Sequence, residues 1–235
     1  MLTHVYFDFF GTLVDYDPSV LPAARNAPHE YALRAGVAID EDRASELWQR
    51  AWTELDEAAH RSGRECSMLE IAARYAQLLG AAGTTGTTEA SAPGQEALER
   101  LVTEYLDAWT AGIRLADGAA ACLADLGRDH TLAVVSNTHD AGLVPRMLRR
   151  FGIADHFTDV FTSVELGWRK PHPQIFEAVL ARHGIPASQV AFVGDNWIAD
   201  VAGPQAVGMR AFYVGAASEG RVPVSLTALP GFLRD

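Results

Sequence analysis

The chain has 235 residues, 49% of them apolar and 21% charged, with a net charge of −11 at pH 7 and a pI near 5.1. That length suffices for one good core, or a core with a smaller lobe, and the acidic balance excludes a general binder of nucleic acid or of anionic membrane. No apolar run approaches the roughly 20 residues that span a bilayer. A small anionic substrate stays compatible with the net charge, because a local cationic pocket or a bound divalent ion dominates the field at one site. Cys66 and Cys122 are too few for a disulfide framework and lack zinc-like spacing, so they are read as buried small apolar residues. The opening Met1-Leu2-Thr3-His4-Val5-Tyr6-Phe7-Asp8 has no basic n-region and places a carboxylate in its apolar stretch, so no signal peptide is expected and a cytoplasmic protein is.

Residues 2–8 read as a short strand ending in Asp8, and Gly11-Thr12 supplies the next turn. The segment 17–110 has helical periodicity and no convincing strand. Leu47, Trp48, Ala51, Trp52, Leu55 and Ala59 share one face, as do Leu98, Leu101, Val102, Tyr105, Leu106 and Trp109. At that spacing Trp48, Trp52, Tyr105 and Trp109 are expected to pack within the lobe, with a substrate-facing role as the alternative. Residues 80–95, rich in Gly, Ala, Thr and Ser, predict a flexible connection. Apolar runs return at 131–136, 160–163, 190–194 and 211–214, separated by helical patterns at 117–127, 140–151, 173–184 and 198–206. Such alternation predicts a parallel sheet covered on both faces. The expected organisation is therefore an α/β core over 1–16 and 111–235, with an all-helical insertion over 17–110. Ligands in open parallel sheets bind at the carboxyl ends of the strands, so an insertion after the first strand is expected to act as a lid.

Lys170 is the only lysine, and the other cationic side chains are all arginine. An ammonium is a compact point charge that fits among several oxygens, whereas a guanidinium is a broad planar fork. The apolar strands end in, or lead to, Asp8, Ser136, Lys170 and the pair Asp195 and Asp200. In a parallel sheet those ends converge on one edge, and carboxylates, a hydroxyl and an ammonium gathered there make a reaction centre.

Asp8-Phe9-Phe10-Gly11-Thr12-Leu13, Ser136-Asn137, Lys170-Pro171 with Pro173, and Gly194-Asp195-Asn196-Trp197-Ile198-Ala199-Asp200 resemble, in order, the four motifs of the haloacid dehalogenase-like hydrolase superfamily. The resemblance spans nearly the whole chain. It implies a Rossmann-like core with a helical cap inserted after the first motif. Asp8 would be the nucleophile, forming a covalent aspartyl intermediate that water cleaves. Thr12 and Ser136 would donate hydrogen bonds to substrate oxygens, and Lys170 would offset charge in the transition state. Gly11, Asn137 and His139 are expected beside the substrate. The implied cofactor is Mg2+, held by Asp8, the backbone carbonyl of Phe10 and Asp195; Asp200 is either a ligand through water or the partner of Lys170.

Phosphatases of this family carry a second Asp two positions after the nucleophile, as general acid and base, and here that position is Phe10. Asp15, Asp17, His29 and His139 are the candidate replacements, His139 the best placed because it follows a strand end. Phosphonate-cleaving relatives need a cap lysine, which this chain lacks. Haloacid dehalogenases have an aromatic residue at the Phe10 position and the Asn matched by Asn137, but lack an acid at Asp195. The paired acids favour a magnesium-dependent phosphatase acting on a small phosphorylated metabolite. Haloacid hydrolysis by the same Asp8 and a catalytically idle phospho-ligand binder are the alternatives. No nucleic acid or membrane partner is expected, and the chain is expected to be a monomer or homodimer.

Overall fold

The computed structural model describes residues 1–16, 26–83 and 94–234. Asp17 and most of the expected flexible connection, 84–93, lie outside the described residues. In chain order the elements are β1 His4–Phe7, β2 Val14–Tyr16, α1 Asn26–Arg34, α2 Glu41–Ser62, α3 Met68–Gly83, α4 Gln95–Thr110, β3 Ile113–Leu115, α5 Ala119–Leu126, β4 Thr131–Ser136, α6 Leu143–Arg150, β5 Asp159–Thr162, α7 Ser163–Leu166, α8 Pro173–His183, β6 Val190–Gly194, a π-helical turn Trp197–Ala202, α9 Gly203–Ala206, β7 Arg210–Tyr213 and α10 Leu229–Arg234. The chain divides into two compact units. One comprises Met1–Tyr16, Gly63–Glu65 and Arg114–Asp235, the other Asp17–Ser62 and Cys66–Ile113.

The first unit is built on a five-stranded parallel sheet of order β5-β4-β1-β6-β7. Its strands are rich in Val, Phe and Ala and are covered on both faces, which is why they read as nearly continuous apolar runs. On one face Tyr6, Val135 and Phe192 pack against Ile175, Phe176 and Val179 of α8. β1 lies at the centre, with Phe7 in register with Val134 on β4 and with Val193 on β6. The residues just after these strands therefore converge at one edge, beside the order reversal where such sheets bind ligands. α8 starts with Pro173 at its first turn and stops at Gly184 in the left-handed region, φ 66°.

The second unit is all-helical among its described residues apart from Ile113, with α1 to α4 packed on one another. Its aromatics form the interior: Trp48 meets Tyr75 at 5.5 Å and Tyr105 at 4.7 Å between ring centroids, and Tyr31 meets Tyr75 at 5.9 Å. Trp48 and Tyr105 are thus packing residues, as their helical spacing predicts.

Three local expectations are corrected. The pair β2 and β3 is absent from the sequence reading, since three residues show no period; it is fixed by tertiary pairing, with Ala116 N donating to Leu13 O at 2.9 Å. Ser163 is not in a strand but opens α7. The 198–206 segment is not one regular helix. The Asn196 side chain accepts from Ile198 N at 3.1 Å and Ala199 N at 3.0 Å, the turn widens to π geometry, and α-helix resumes only at Gly203-Pro204.

Candidate active site

Asp8 follows β1, and its N–H donates to Val193 O on β6 at 2.9 Å, which fixes its backbone against the neighbouring strand. Lys170 enters from the loop before α8 and donates from Nζ to Asp8 Oδ1 at 2.8 Å and to Asp200 Oδ1 at 2.7 Å. Lys170 is 3% exposed and Asp200 1%, so this is a buried carboxylate–ammonium–carboxylate bridge. Asp200 is held on its other oxygen by Asn196 N at 2.9 Å. Asp200 is thus bonded to Lys170 and also belongs to the group of carboxylates that could hold a metal ion. Thr12 Oγ1 reaches toward Asp195 Oδ1 at 3.4 Å, a long contact. Asn137 and Lys170 exchange bonds in both directions: Lys170 N donates to Asn137 Oδ1 at 2.8 Å, and Asn137 Nδ2 donates to Lys170 O at 3.0 Å. Ser136 is fully buried at the end of β4.

Two glycines make the approach of the acids possible. Gly11 has φ +82°, and a Cβ there would overlap the Asp195 carboxylate; a Cβ on Gly194 would overlap the Asp200 side chain. Asp8, Asp195 and Asp200 each present a carboxylate oxygen within 4.8 Å of the others. Burial raises the Asp8 carboxyl, the Lys170 charge draws it back, and the charges of Asp200 and Asp195 raise it again, for a net rise to about 7. Burial likewise raises Asp195, with Asp200 adding to the rise. Burial lowers Lys170, but the charges of Asp200 and Asp8 outweigh it and leave it raised, firmly an ammonium. Three carboxylates facing one ammonium leave an excess of negative charge, and hard oxygen donors at this spacing suit a divalent cation such as Mg2+. The residues present fit the ion.

The other proton-donor candidates come from separate elements. His139 Nδ1 lies 3.2 Å from Glu65 Oε1. His29 lies on α1 in the helical unit, with Nε2 3.0 Å from Ile39 O. Asp15 is on β2. Arg169 faces an acid: it is 9% exposed, with Nη1 3.7 Å from Glu65 Oε1. Two residues escaped the sequence reading. Tyr16 stacks on Phe10, with centroids 6.0 Å apart and planes at 22°; burial and the charges of Asp8 and Asp195 raise its phenol. Glu65 comes from the middle of the insertion and meets partners 74 or more positions away, a separation that leaves no local signal.

The fold and this site together define a doubly wound α/β protein with a carboxylate-rich centre at its strand ends. The model of the family described as "Hydrolase: haloacid dehalogenase-like hydrolase" matches residues 2–208, and the chain belongs to that family. It is 43% identical over 83 residues to haloacid dehalogenase-like hydrolase domain-containing protein 3 of Homo sapiens, a match covering 35% of this chain and 32%, about a third, of that relative's length. It is 29% identical over 210 residues to ribulose-1,5-bisphosphate 5-phosphatase of Halopiger xanaduensis, covering 89% of this chain and 83% of that one. Among solved structures it is similar to a 2-haloacid dehalogenase from Pseudomonas syringae pv. Tomato, with TM-score 0.73 and 27% identity over 100% of this chain and 99% of that one.

Proposed function

We propose that the chain is a magnesium-dependent phosphatase that removes phosphate from a small phosphorylated metabolite. One observation carries this reading: three carboxylates gather within 4.8 Å of one another, two of them bonded to a single ammonium. A haloacid carries a carboxylate of its own, which such a centre would repel. A phosphate ester is instead drawn in once a divalent cation balances the acids. Asp8, the Phe10 carbonyl and Asp195 would hold that ion, and when bound it supplies charge neutralisation to the phosphoryl oxygens.

The residues of the chain do the rest. Lys170 bonds Asp8 Oδ1 and draws the carboxyl toward its ionised form, leaving Oδ2 to attack phosphorus. A new O–P bond forms as the ester P–O bond breaks, and the alcohol oxygen leaves with the electron pair and takes a proton from solvent water. Water then attacks the aspartyl phosphate, releasing orthophosphate and restoring the Asp8 carboxylate. The hydroxyls of Thr12 and Ser136 orient the phosphoryl group, with Gly11, Asn137 and His139 beside it. Phe10 has no proton to give, so leaving groups that need little protonation are favoured; general acid help is worth roughly 10²–10⁴-fold. The helical unit is proposed as the cap that selects the substrate. The ribulose-1,5-bisphosphate 5-phosphatase relative, aligned over most of both chains, supports a phosphorylated substrate. The enzyme is proposed to work in the cytoplasm as a monomer or homodimer.

The aromatic Phe10 and the similarity to a 2-haloacid dehalogenase favour a second reading, hydrolysis of a carbon–halogen bond by the same Asp8. One experiment separates the two: p-nitrophenyl phosphate turnover with and without EDTA, beside halide release from 2-chloropropionate. Phosphate release abolished by EDTA supports the phosphatase, halide release insensitive to EDTA supports the dehalogenase, and neither activity points to a binding protein. Asp8→Asn is expected to abolish turnover while the circular dichroism spectrum is unchanged; an active variant excludes Asp8 as nucleophile.

A further inference from the structure

Glu65 lies between α2 and α3, remote in sequence from every motif, yet belongs to the α/β unit. Its side chain is 0% exposed, and its carboxylate gathers three partners. His139 Nδ1 is 3.2 Å from Oε1, Arg169 Nη1 is 3.7 Å from Oε1, and Ser163 Oγ donates to Oε2 at 2.6 Å. Burial raises the Glu65 carboxyl, but the hydrogen bonds from His139 and Ser163 and the charge of Arg169 outweigh it, so the net shift is downward. A buried carboxylate with this many partners fixes their mutual positions, since each partner that moves away leaves a charge uncompensated.

The partners flank the two segments on which the reaction depends. His139 lies just beyond Ser136 and Asn137, and Thr138 N donates to Ser163 Oγ at 2.9 Å, which relays the same loop to Glu65. Arg169 immediately precedes Lys170. The backbone adds to the grip: Arg169 N donates to Gly63 O at 2.9 Å, Glu65 N donates to Gly167 O at 3.3 Å, and Arg64 pairs with Trp168 in an antiparallel bridge. The Arg64 guanidinium covers the Trp168 ring at 3.8 Å, and His172 stacks on that ring at 4.1 Å. The loop after β4 and the loop carrying Lys170 thus meet at one carboxylate.

The geometry points to Glu65 as a positioning residue for the phosphatase reaction, setting the Ser136–His139 loop and Lys170 in the register that puts Nζ between Asp8 and Asp200. Glu65 acts through His139, Ser163 and Arg169. The inference rests on the phosphatase reading and adds to it a residue contributed by the insertion rather than by any motif.

The test is steady-state kinetics on p-nitrophenyl phosphate at saturating Mg2+ for the wild type, Glu65→Gln, Glu65→Asp, Arg169→Met and the Glu65→Gln/Arg169→Met double variant. Glu65→Gln is expected to lower kcat about 10- to 10²-fold, the cost of misplacing a reacting group by up to about 1 Å, with KM within about two-fold. Glu65→Asp recovers part of the loss, and the double variant is no slower than the slower single one, because both act through one network. A purely structural role would lower the melting temperature and leave kcat per folded molecule unchanged. Should Glu65→Gln not fold, Ser163→Ala breaks the same relay by one hydroxyl, and a smaller fall in kcat at constant KM is expected. A wild type with no EDTA-sensitive phosphate release overturns the phosphatase reading and this inference together. An active wild type whose folded Glu65→Gln, or failing that Ser163→Ala, keeps the same kcat overturns only the inference.

Discussion

Lys170 shows why the type of cation matters. Its ammonium bridges Asp8 at 2.8 Å and Asp200 at 2.7 Å within a space that leaves it 3% exposed and places it 5.0 Å from the Phe192 ring centroid. A guanidinium could not be accommodated there without parting the two acids. The acids set a pH dependence. The Asp8 carboxyl rises from 3.8 to about 7 on folding, so between those values the folded chain holds more protons than the unfolded one. Stability of the metal-free protein is therefore expected to fall as pH rises through that window. Magnesium competes with the proton for the same charge, so added Mg2+ is expected to raise the melting temperature more at pH 8 than at pH 5. Thermal melts at both values test this, and an equal or larger gain at pH 5 contradicts it. Phe10 sets a chemical limit at the same scale. Phe10→Asp is expected to raise alkyl phosphate hydrolysis relative to aryl phosphate hydrolysis by about 10-fold or more, read as the ratio of kcat/KM values. An unchanged ratio means that protonation of the leaving group does not limit the enzyme.

The elements contribute mainly through their ends. β1, β4 and β6 end within two residues of one another in register, and the stops of β1 and β6 lead into a glycine-dependent turn and a capped helical turn rather than open loop. At the end of β6, Gly194 leaves the space that the Asp200 side chain occupies. Gly194→Ala is expected to push Asp200 off Lys170, lowering kcat about 10²-fold with a stability loss of about 1–3 kcal/mol from overpacking. Kinetics with denaturant melts measure both, and wild-type activity in that variant would show that the Asp200–Lys170 bond is dispensable. The strands and main helices of the α/β unit were legible in the sequence because each carries a period long enough to count. β2, β3 and α7 were not, because three or four residues carry no period and their pairing partners are distant. The π-helical turn was illegible for another reason: it arises from the Asn196 side chain competing with the helix for backbone N–H groups.

At the scale of the whole molecule, a net charge of −11 surrounds a site proposed to take an anion. The mean field opposes approach, and only the local cations attract. Raising ionic strength from about 0.01 to about 0.15 M screens the long-range repulsion, so kcat/KM for p-nitrophenyl phosphate at saturating Mg2+ is expected to rise several-fold. A fall over that range would mean that local attraction already dominates the encounter. No helix among the described residues is long and apolar enough to cross a membrane. The helical unit is built from two stretches of sequence, because Gly63–Glu65 between them belong to the other unit.

The sequence by itself determined the α/β class, the parallel strands and the residues that end them, because apolar periodicity and motif order are local properties. It also offered Asp8, Thr12, Ser136, Lys170, Asp195 and Asp200 as candidates, of which the fold brings Asp8, Lys170, Asp195 and Asp200 together. Only the tertiary structure decided that Asp200 bridges to Lys170, that Asn137 clamps the Lys170 backbone, and that Arg169 turns inward to Glu65. Each of those contacts joins residues at least 30 positions apart, and their geometry is set by packing and charge balance across the fold, which no short window of sequence contains.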